Sequence, residues 1–398
     1  MPASIVLKAP SSSRALTFAA YVAFVPIGVA TVLLGPMLPT LSARWSLNYS
    51  QAGALFTAQY VASTCAVALS GVVVSVRGFR FAIKSGLLLM ATGLALLLSG
   101  PKSLGIICIA AYGGGIGLAV PAANLMVAEV NPERRSATLN WLNFCWSAGA
   151  VSCPFIVSTA ARSQQIPLFL RIVSAFSLVV AIGIALMPSS VVEPAATLDN
   201  RTKILPLIRL KRTAFLILAT MFFVYVGTEN GFGGWVASYS KALGNLTPAM
   251  SLVTPSFFYA ALTLGRLVAP LLLKTVDEMS LVRTGLLLAC AGTGGLLFSH
   301  GLTGVMVSVS AAGFGLSCVY PITISLFSRE FGSASSRLGS LMFVLSNIGG
   351  GLLPWIVGIS STWVGTLKAG LLIPLLGCTA MYALYLPGWQ QPANEQLG

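Results

Sequence analysis

The chain has 398 residues, of which 56% are hydrophobic and 8% are charged, and its formal net charge at pH 7 is +14. So low a charged fraction excludes an ordinary soluble domain, in which roughly one residue in four is charged, and favours a protein that lies in lipid. The basic excess does not indicate a nucleic-acid binder, because the basic residues are spread over short loops instead of forming one patch.

Twelve apolar stretches follow one another along the chain. We predict a membrane-spanning helix for each, since about 20 apolar residues cross the hydrocarbon core. The first begins after Lys8 and Arg14. It runs well past the ~15 residues of a signal-peptide core, so we interpret it as the first span. The predicted spans are 15–41, 50–76, 82–99, 103–128, 138–160, 167–188, 213–239, 250–273, 280–299, 302–328, 336–360 and 364–386.

The second half of the sequence echoes the first at an interval of about 200 residues. The segment FCWSAGAVSCPFIV, which starts at Phe144, returns as FVLSNIGGGLLPWIV from Phe343. Likewise, GIGLAVP ends at Pro121 and GFGLSCVYP ends at Pro321. Duplicated helix bundles with a binding site at their interface are typical of secondary transporters, so the repeat favours transport of a solute over its chemical conversion.

The loops indicate how the spans are oriented and divided. With the N-terminus inside, sixteen of the 23 Lys and Arg residues lie on the cytoplasmic side, six lie outside, and Arg266 lies within a span. This bias follows the positive-inside rule, so we predict a protein of the cytoplasmic (inner) membrane with both termini in the cytoplasm. A cytoplasmic linker at 189–212 separates two predicted six-helix bundles, 1–188 and 213–398, and the second ends in a short cytoplasmic tail.

A partial loop motif supports this architecture. After span two, the segment GVVVSVRGFR contains Gly71, Gly78 and Arg80, and Ser75 stands at the position where this motif usually has an acid. After span eight, the segment GRLVAPLLLK begins with Gly265 and Arg266. With twelve spans and a six-plus-six repeat, the sequence resembles the major facilitator superfamily. The resemblance implies an all-α membrane protein with twelve transmembrane helices in two pseudo-symmetric six-helix bundles, which works by alternating access.

Spans four, five and seven resemble one branch of that superfamily. AANLMVAEVNPERRSATLNWLNFCWSAGA and YVGTENGFGGWVASY are similar to segments of the fucose/galactose/glucose–proton symporters and their sodium-dependent glucose transporter relatives. Aligned on Asn124, the branch's proton-accepting Glu falls on Val120, its span-five Gln on Asn143 and its next Asn on Trp146. Span one contains no acid. The resemblance therefore implies a sugar-like solute, but the branch's proton route does not carry over.

Glu229 is the acid that falls within a predicted span, whereas the other eight lie in loops or at span ends. An ionisable group at the centre of a membrane helix costs about 2.5–3.5 kcal/mol, so we predict that Glu229 binds substrate and couples transport to an ion. Asn230 and three glycines follow it, and we expect a discontinuous helix there that exposes backbone to a cavity. The alternative is a structural acid that ties span seven to a polar neighbour.

Further candidates are uncharged. Asn140, Asn143 and Ser147 share one face of span five, and amides suit sugar hydroxyls because they both donate and accept. The alternative is hydrogen bonding between helices; for Trp235 and Tyr239 it is a place at the lipid–water interface. The predicted substrate-binding residues are Gln59, Asn124, Asn140, Asn143, Trp146, Glu229, Asn230, Tyr259, Tyr320 and Asn347.

Charged residues recur at the cytoplasmic ends of spans four, five, ten and eleven. Glu129 precedes Arg134 and Arg135, and Glu330 lies between Arg329 and Arg337, so we predict ion pairs that close an inner gate; solvated loop charges are the alternative. The predicted gating residues are Arg80, Glu129, Arg135, Glu330 and Arg337. For Arg266 we favour a side chain that snorkels toward the cytoplasm or clamps neighbouring helices over one that binds substrate.

Together these features predict a transporter of a small neutral polar solute, first of all a monosaccharide. Coupling to H⁺ or Na⁺ through Glu229 and facilitated diffusion both stay open. We expect a monomer whose partners are the solute and the lipid bilayer, with no nucleic acid, no metal and no cofactor. An exporter of drug-like or amphipathic compounds is the main alternative, followed by a receptor; an enzyme is disfavoured, since the chain has one histidine, His300, and no Cys/His metal-ligand spacing.

Overall fold

The computed structural model describes residues 10–187, 211–332 and 335–385, which are almost entirely helical. The first half of the chain contains α1 (Pro10–Val32), α2 (Leu34–Trp45), α3 (Tyr49–Leu96), α4 (Lys102–Val130), α5 (Arg135–Arg162) and α6 (Ile166–Leu186), with a short 3₁₀ helix at Pro132–Arg134. The second half contains α7 (Arg212–Ala242), α8 (Pro248–Leu272), α9 (Glu278–Phe298), α10 (Leu302–Leu316), α11 (Val319–Phe331), α12 (Ser335–Val364) and α13 (Leu367–Leu384).

These helices make twelve crossings. Within the described ranges, eleven segments are long and apolar enough to span a membrane. One of them, α3, has 48 residues and includes Gly78 with φ 81° and ψ 167°, where the chain turns back. Glycine adopts this left-handed φ without steric cost. The prediction of an all-α protein with twelve transmembrane helices in two six-helix bundles is confirmed. The predicted linker, 189–212, lies outside the described residues except for its last two positions.

The first and the tenth crossings each contain a break in the helix, whereas the sequence predicted a break in the seventh. The first crossing is divided between Val32 and Leu34, and the tenth between Leu316 and Val319. Pro36 and Pro321 follow these breaks and lack the N–H that would bond the carbonyl four residues earlier. The predicted discontinuity in span seven is wrong, because α7 is one unbroken helix.

The glycines of α7 serve close packing instead. A Cβ atom on Gly233 would lie 2.6 Å from the Tyr259 hydroxyl, and one on Gly234 would lie 2.7 Å from the Phe56 ring. Both distances are far shorter than a carbon–carbon or carbon–oxygen contact allows, so a larger residue would push these neighbours away. Glycine is therefore required where α7 meets α8 and the first half of the chain.

One arginine in each half holds the end of the sixth crossing to the start of the third. The Arg80 guanidinium donates to the carbonyl of Ile184 at 2.8 Å and also to that of Met187. Arg283 Nε donates to the carbonyl of Tyr385 at 2.7 Å. A cation at a helix C-terminus is favoured by the helix dipole. Arg80, a predicted gating residue, thus bonds within its own half, and we call the two contacts the arginine clasps.

Candidate functional site

The two halves contact each other near one end of the molecule. We call the end with the Gly78 turn and the start of α7 the basic end, and the other the opposite end. Near the opposite end α2 contacts α7, α3 contacts α12, and α5 contacts α8; we call these three contacts the seam. Backbones touch there, since a Cβ on Gly35 would lie 3.0 Å from the Gly233 carbonyl oxygen, and one on Gly53 equally close to that of Pro354.

Toward the basic end the halves separate. Along the face of α12 that packs on α3, Gly358 and Gly351 contact residues of the first half. Asn347, one turn farther, is half-buried, and Phe343 is 55% exposed. A helix face that packs against the other half at one end and is exposed at the other borders a cleft. Asn347 therefore lies near the closed end of a cleft that opens toward the basic end.

Helix α5 shows the same divergence. Ser158 donates to the Ala249 carbonyl of α8 at 2.7 Å, and Ser256 of α8 donates to the Val151 carbonyl at 3.0 Å. Ser147, farther toward the basic end, is still buried, whereas Asn143 is exposed. The cleft therefore begins at about the depth of Ser147.

Asn143 faces this cleft. Trp146 and Gly149 pack on α1, while Val151 and Ser158 contact α8. At about 100° per residue, Asn143 lies on the face of α5 between those two contacts, directed at the space between the halves. Its Nδ2 donates to the Leu139 carbonyl of its own helix at 2.9 Å, which fixes the direction of the amide oxygen. Asn140 is exposed one turn farther toward the basic end.

At the closed end of the cleft lies a cluster of buried polar groups from the second half. Glu229 is 9% exposed and lies within interaction range of Tyr225, one turn earlier, and of Arg266 from α8. The Arg266 guanidinium donates to the Tyr225 hydroxyl at 3.4 Å through Nη2. Its Nε is buried without a hydrogen-bond partner among the described residues. Of the two predicted roles of Arg266, the structure shows the clamp between neighbouring helices, since its side chain turns inward and bonds α8 to α7 instead of snorkelling.

Two more tyrosines border Glu229. The Tyr320 ring of α11 lies 5.3 Å from the Tyr225 ring, centroid to centroid. Tyr259 of α8 is 4% exposed and packs on Gly233. Both lie within electrostatic range of the Glu229 carboxyl, so the structure brings these three predicted site residues together.

Asn230 links this cluster to the first half. Its Nδ2 donates to the Val226 carbonyl at 2.8 Å, and its Oδ1 accepts a hydrogen bond from the Tyr60 hydroxyl at 2.7 Å. Tyr60, which the sequence analysis did not single out, is thus a polar neighbour of the site from the other half. No spacing in the sequence predicts a contact between residues 170 positions apart.

Two predicted residues of the first half, Gln59 and Trp146, form a second group around Thr31, next to the break in the first crossing. Gln59 Nε2 donates to the Thr31 carbonyl at 3.3 Å, and Gln59 Oε1 accepts from the Tyr112 hydroxyl at 3.1 Å. Trp146 Nε1 donates to Thr31 Oγ1 at 3.3 Å. Asn124 lies apart from this group, and its Nδ2 donates to the Val120 carbonyl of its own helix at 2.9 Å.

Trp235 and Tyr239 lie inside the protein and not at the lipid–water interface. Trp235 is 1% exposed, donates from Nε1 to the Pro354 carbonyl at 2.9 Å, and its ring centroid lies 6.2 Å from that of Tyr49. Tyr239 is 2% exposed and donates to the Leu296 carbonyl at 3.2 Å. The interfacial alternative is therefore wrong for both residues. Trp235 fills the seam on the side of Glu229 that faces the opposite end.

The ion pairs at the basic end differ from the predicted ones. Glu330 pairs with Lys211 at 3.0 Å, and Arg329 pairs with Glu278. Both pairs lie within the second half. Glu129 and Arg135 are exposed at the same end of the first half, and the Arg337 side chain lies outside the described part of the structure.

Known proteins resemble this chain over most of its length. An L-fucose-proton symporter from Escherichia coli is 24% identical over 92% of this chain and 91% of its own. A putative glucose/galactose transporter from Helicobacter pylori is 24% identical over 94% and 96%. A sodium-dependent glucose transporter 1A from Mus musculus is 19% identical over 85% and 88%. The sequence-based resemblance to this branch is confirmed.

Solved structures show the same fold. The D-xylose-proton symporter superposes with a TM-score of 0.75 at 15% identity, over 93% of this chain and 96% of its own. The transporter FucP in its outward conformation superposes with 0.65 at 20% identity, over 94% and 98%. The family model described as Major Facilitator Superfamily matches residues 9–354. With its twelve crossings and two halves about a central cleft, the chain belongs to the Major Facilitator Superfamily.

Proposed function

We propose that this transporter moves a small neutral polar solute, specifically a monosaccharide, by alternating access. The observation that carries the proposal is the position of Glu229 and Asn230 at the closed end of the cleft, among the hydroxyls of Tyr60, Tyr225 and Tyr259. Few convergent polar groups in an otherwise apolar cavity are typical of small-molecule sites. The sugar-transporting relatives support the same solute class.

The charges of the site favour a solute without net charge. Glu229 and Arg266 lie in the same cluster, so one formal negative charge is balanced by one positive charge. The remaining polar groups are amides and phenols, which donate and accept hydrogen bonds with hydroxyl groups. Tyrosine rings also offer flat apolar faces, and a sugar ring presents an apolar face of its own.

The conformation supports alternating access. If the basic loops lie in the cytoplasm, as the positive-inside rule requires, the seam closes the outer side and the cleft opens inward. Residues of α3, α5, α8 and α12 that are now in contact must separate when the outer side opens. We propose cytoplasmic termini and a location in the inner membrane on the same grounds, and a monomeric protein because both halves that border the cleft belong to one chain.

Glu229 is the proposed coupling group for H⁺ or Na⁺. An intramembrane carboxyl exposed to a cavity is a common ion-coupling device, and relatives of this chain are described as proton symporters or sodium-dependent transporters. Facilitated diffusion remains the competing mode, because span one lacks an acid.

Two measurements test the proposal. A thermal-shift screen of the purified protein should show that hexoses raise Tm, since a ligand of the folded state stabilises it by mass action. Stabilisation by lipophilic cations and not by sugars would favour the exporter. Uptake of radiolabelled hexose into proteoliposomes, with and without a pH or Na⁺ gradient, then separates symport from facilitated diffusion; absence of any hexose uptake contradicts the proposal.

A further inference from the structure

The hydrogen bond between Tyr60 and Asn230 joins the two halves at the inner edge of the seam. It connects two side chains, with 2.7 Å between the Tyr60 hydroxyl and Asn230 Oδ1. Thr57 and Ser158 also bond across the seam, but to backbone carbonyls. A side-chain acceptor beside the cleft can exchange its partner for a solute hydroxyl, whereas a carbonyl enclosed in the seam is out of reach.

The Tyr60 ring lies directly against the second half. A Cβ on Gly350 would lie 2.6 Å from the ring, and one on Gly351 would lie 2.9 Å from the Tyr60 Cβ. Tyr60 therefore fills a space that glycine leaves in α12 while its hydroxyl bonds α7. When the outer side opens, this one side chain must leave both helices, so its hydroxyl bond is broken in every transport cycle.

Asn230 is positioned to hold this bond. Its Nδ2 bonds the Val226 carbonyl at 2.8 Å, which orients Oδ1 toward Tyr60. Glu229, the adjacent residue, belongs to the cluster at the closed end of the cleft. The acceptor that holds Tyr60 is therefore next to the group that we assign to the solute.

We propose that the Tyr60–Asn230 bond is a latch of the outer side, and that the solute releases it by placing one of its own hydroxyls on Asn230 Oδ1. One hydrogen bond replaces another, so Asn230 loses no partner while Tyr60 becomes free to leave the second half. The inference rests on the proposed function in that it assigns Asn230 to a hydroxyl-bearing solute. Tyr60 acts as a positioning residue that sets which side of the site is closed.

Hydrogen–deuterium exchange of the purified full chain tests the latch without any solute. Tyr60→Phe removes the hydroxyl and leaves the ring, so exchange should rise in segments 49–60 and 350–358 of the seam and fall in segment 139–147 of the cleft. Asn230→Ala removes the acceptor and should give the same pattern, and the double variant should add nothing to it. Tyr385→Phe is the matched control, because it removes a buried tyrosine hydroxyl that bonds Thr323 Oγ1 at 2.8 Å within the second half and outside these segments; it should leave all three segments unchanged.

Addition of hexose tests the release. In the wild type it should raise exchange at the seam as Tyr60→Phe does, and in Tyr60→Phe it should have no further effect there. If Tyr60→Phe and Asn230→Ala both leave seam exchange at the wild-type level, there is no latch, whatever the solute is. If these variants open the seam but no hexose changes exchange in the wild type, the latch stands and the assignment of a monosaccharide fails.

Discussion

Glu229 lies one turn after Tyr225 and shares its surroundings with Arg266. Glu229→Gln keeps the shape of the side chain but removes the exchangeable proton and the negative charge that would balance Na⁺. We expect hexose counterflow to persist in this variant while gradient-driven accumulation falls to equilibrium. Proteoliposomes with an imposed pH or Na⁺ gradient measure both modes, and accumulation at the wild-type level would rule out coupling through Glu229.

Asn143 contributes a fixed amide oxygen to the wall of the cleft. We expect Asn143→Ala to remove one or more neutral hydrogen bonds to the solute, each worth about 0.5–1.5 kcal/mol. The half-saturation concentration for uptake should therefore rise roughly two- to tenfold per bond. Asn245→Ala, in the exposed loop between α7 and α8, is the control and should leave it unchanged. An unchanged value for Asn143→Ala would remove Asn143 from the site.

At the level of helices, Gly358 is one of the glycines that let α12 pack closely on α3. A Cβ there would overlap the Tyr49 carbonyl oxygen, and overpacking of this kind costs about 1–3 kcal/mol. Gly358→Ala should lower the Tm of this conformation and raise exchange at the seam. Gly71→Ala is the control, because its Cβ would meet no atom within 4 Å and alanine favours the helix. Equal Tm values for the two variants would contradict this role of the seam.

Hydropathy was sufficient to predict the helices, but not their breaks. Gly231, Gly233 and Gly234 suggested a break in α7, yet glycine weakens a helix by only about 1 kcal/mol per residue, which packing against Tyr259 and Phe56 outweighs. Pro36 and Pro321 remove a donor outright, and the breaks lie next to them. Proline alone does not predict a break either, since Pro121, Pro154 and Pro354 lie inside unbroken helices.

The same limit applies to the site. Glu229 and Asn230 were recognisable because polar groups are rare in apolar spans, and Tyr225 could have been found from its position one turn before Glu229. Tyr60 could not, because its partner lies in the other half of the chain and one sequence does not reveal how two bundles face each other. The direction of Arg266 likewise depends on where the hydroxyl of Tyr225 lies.

For the whole molecule, the ion pairs at the basic end indicate which contacts stay intact when the two halves move relative to each other. Lys211 and Glu330 belong to the same half, so alternation carries the pair along and does not break it. Glu330→Gln should therefore leave the hexose uptake rate close to wild type, since exposed pairs are worth at most about 1 kcal/mol. A large loss of uptake, measured in proteoliposomes at equal protein density, would show that Glu330 acts across the two halves.

The arginine clasps complete each bundle from its own residues: Arg80 secures α6, and Arg283 secures the end of α13. A six-helix bundle whose last helix is held by its own residues does not need a covalent connection to the other bundle in order to fold. Two separate polypeptides, one ending and one beginning within 189–212, should thus find each other when produced in the same cell and restore uptake. Replacing either arginine should lower uptake more in such a divided protein than in the intact chain, because the linker of the intact chain keeps the two bundles together.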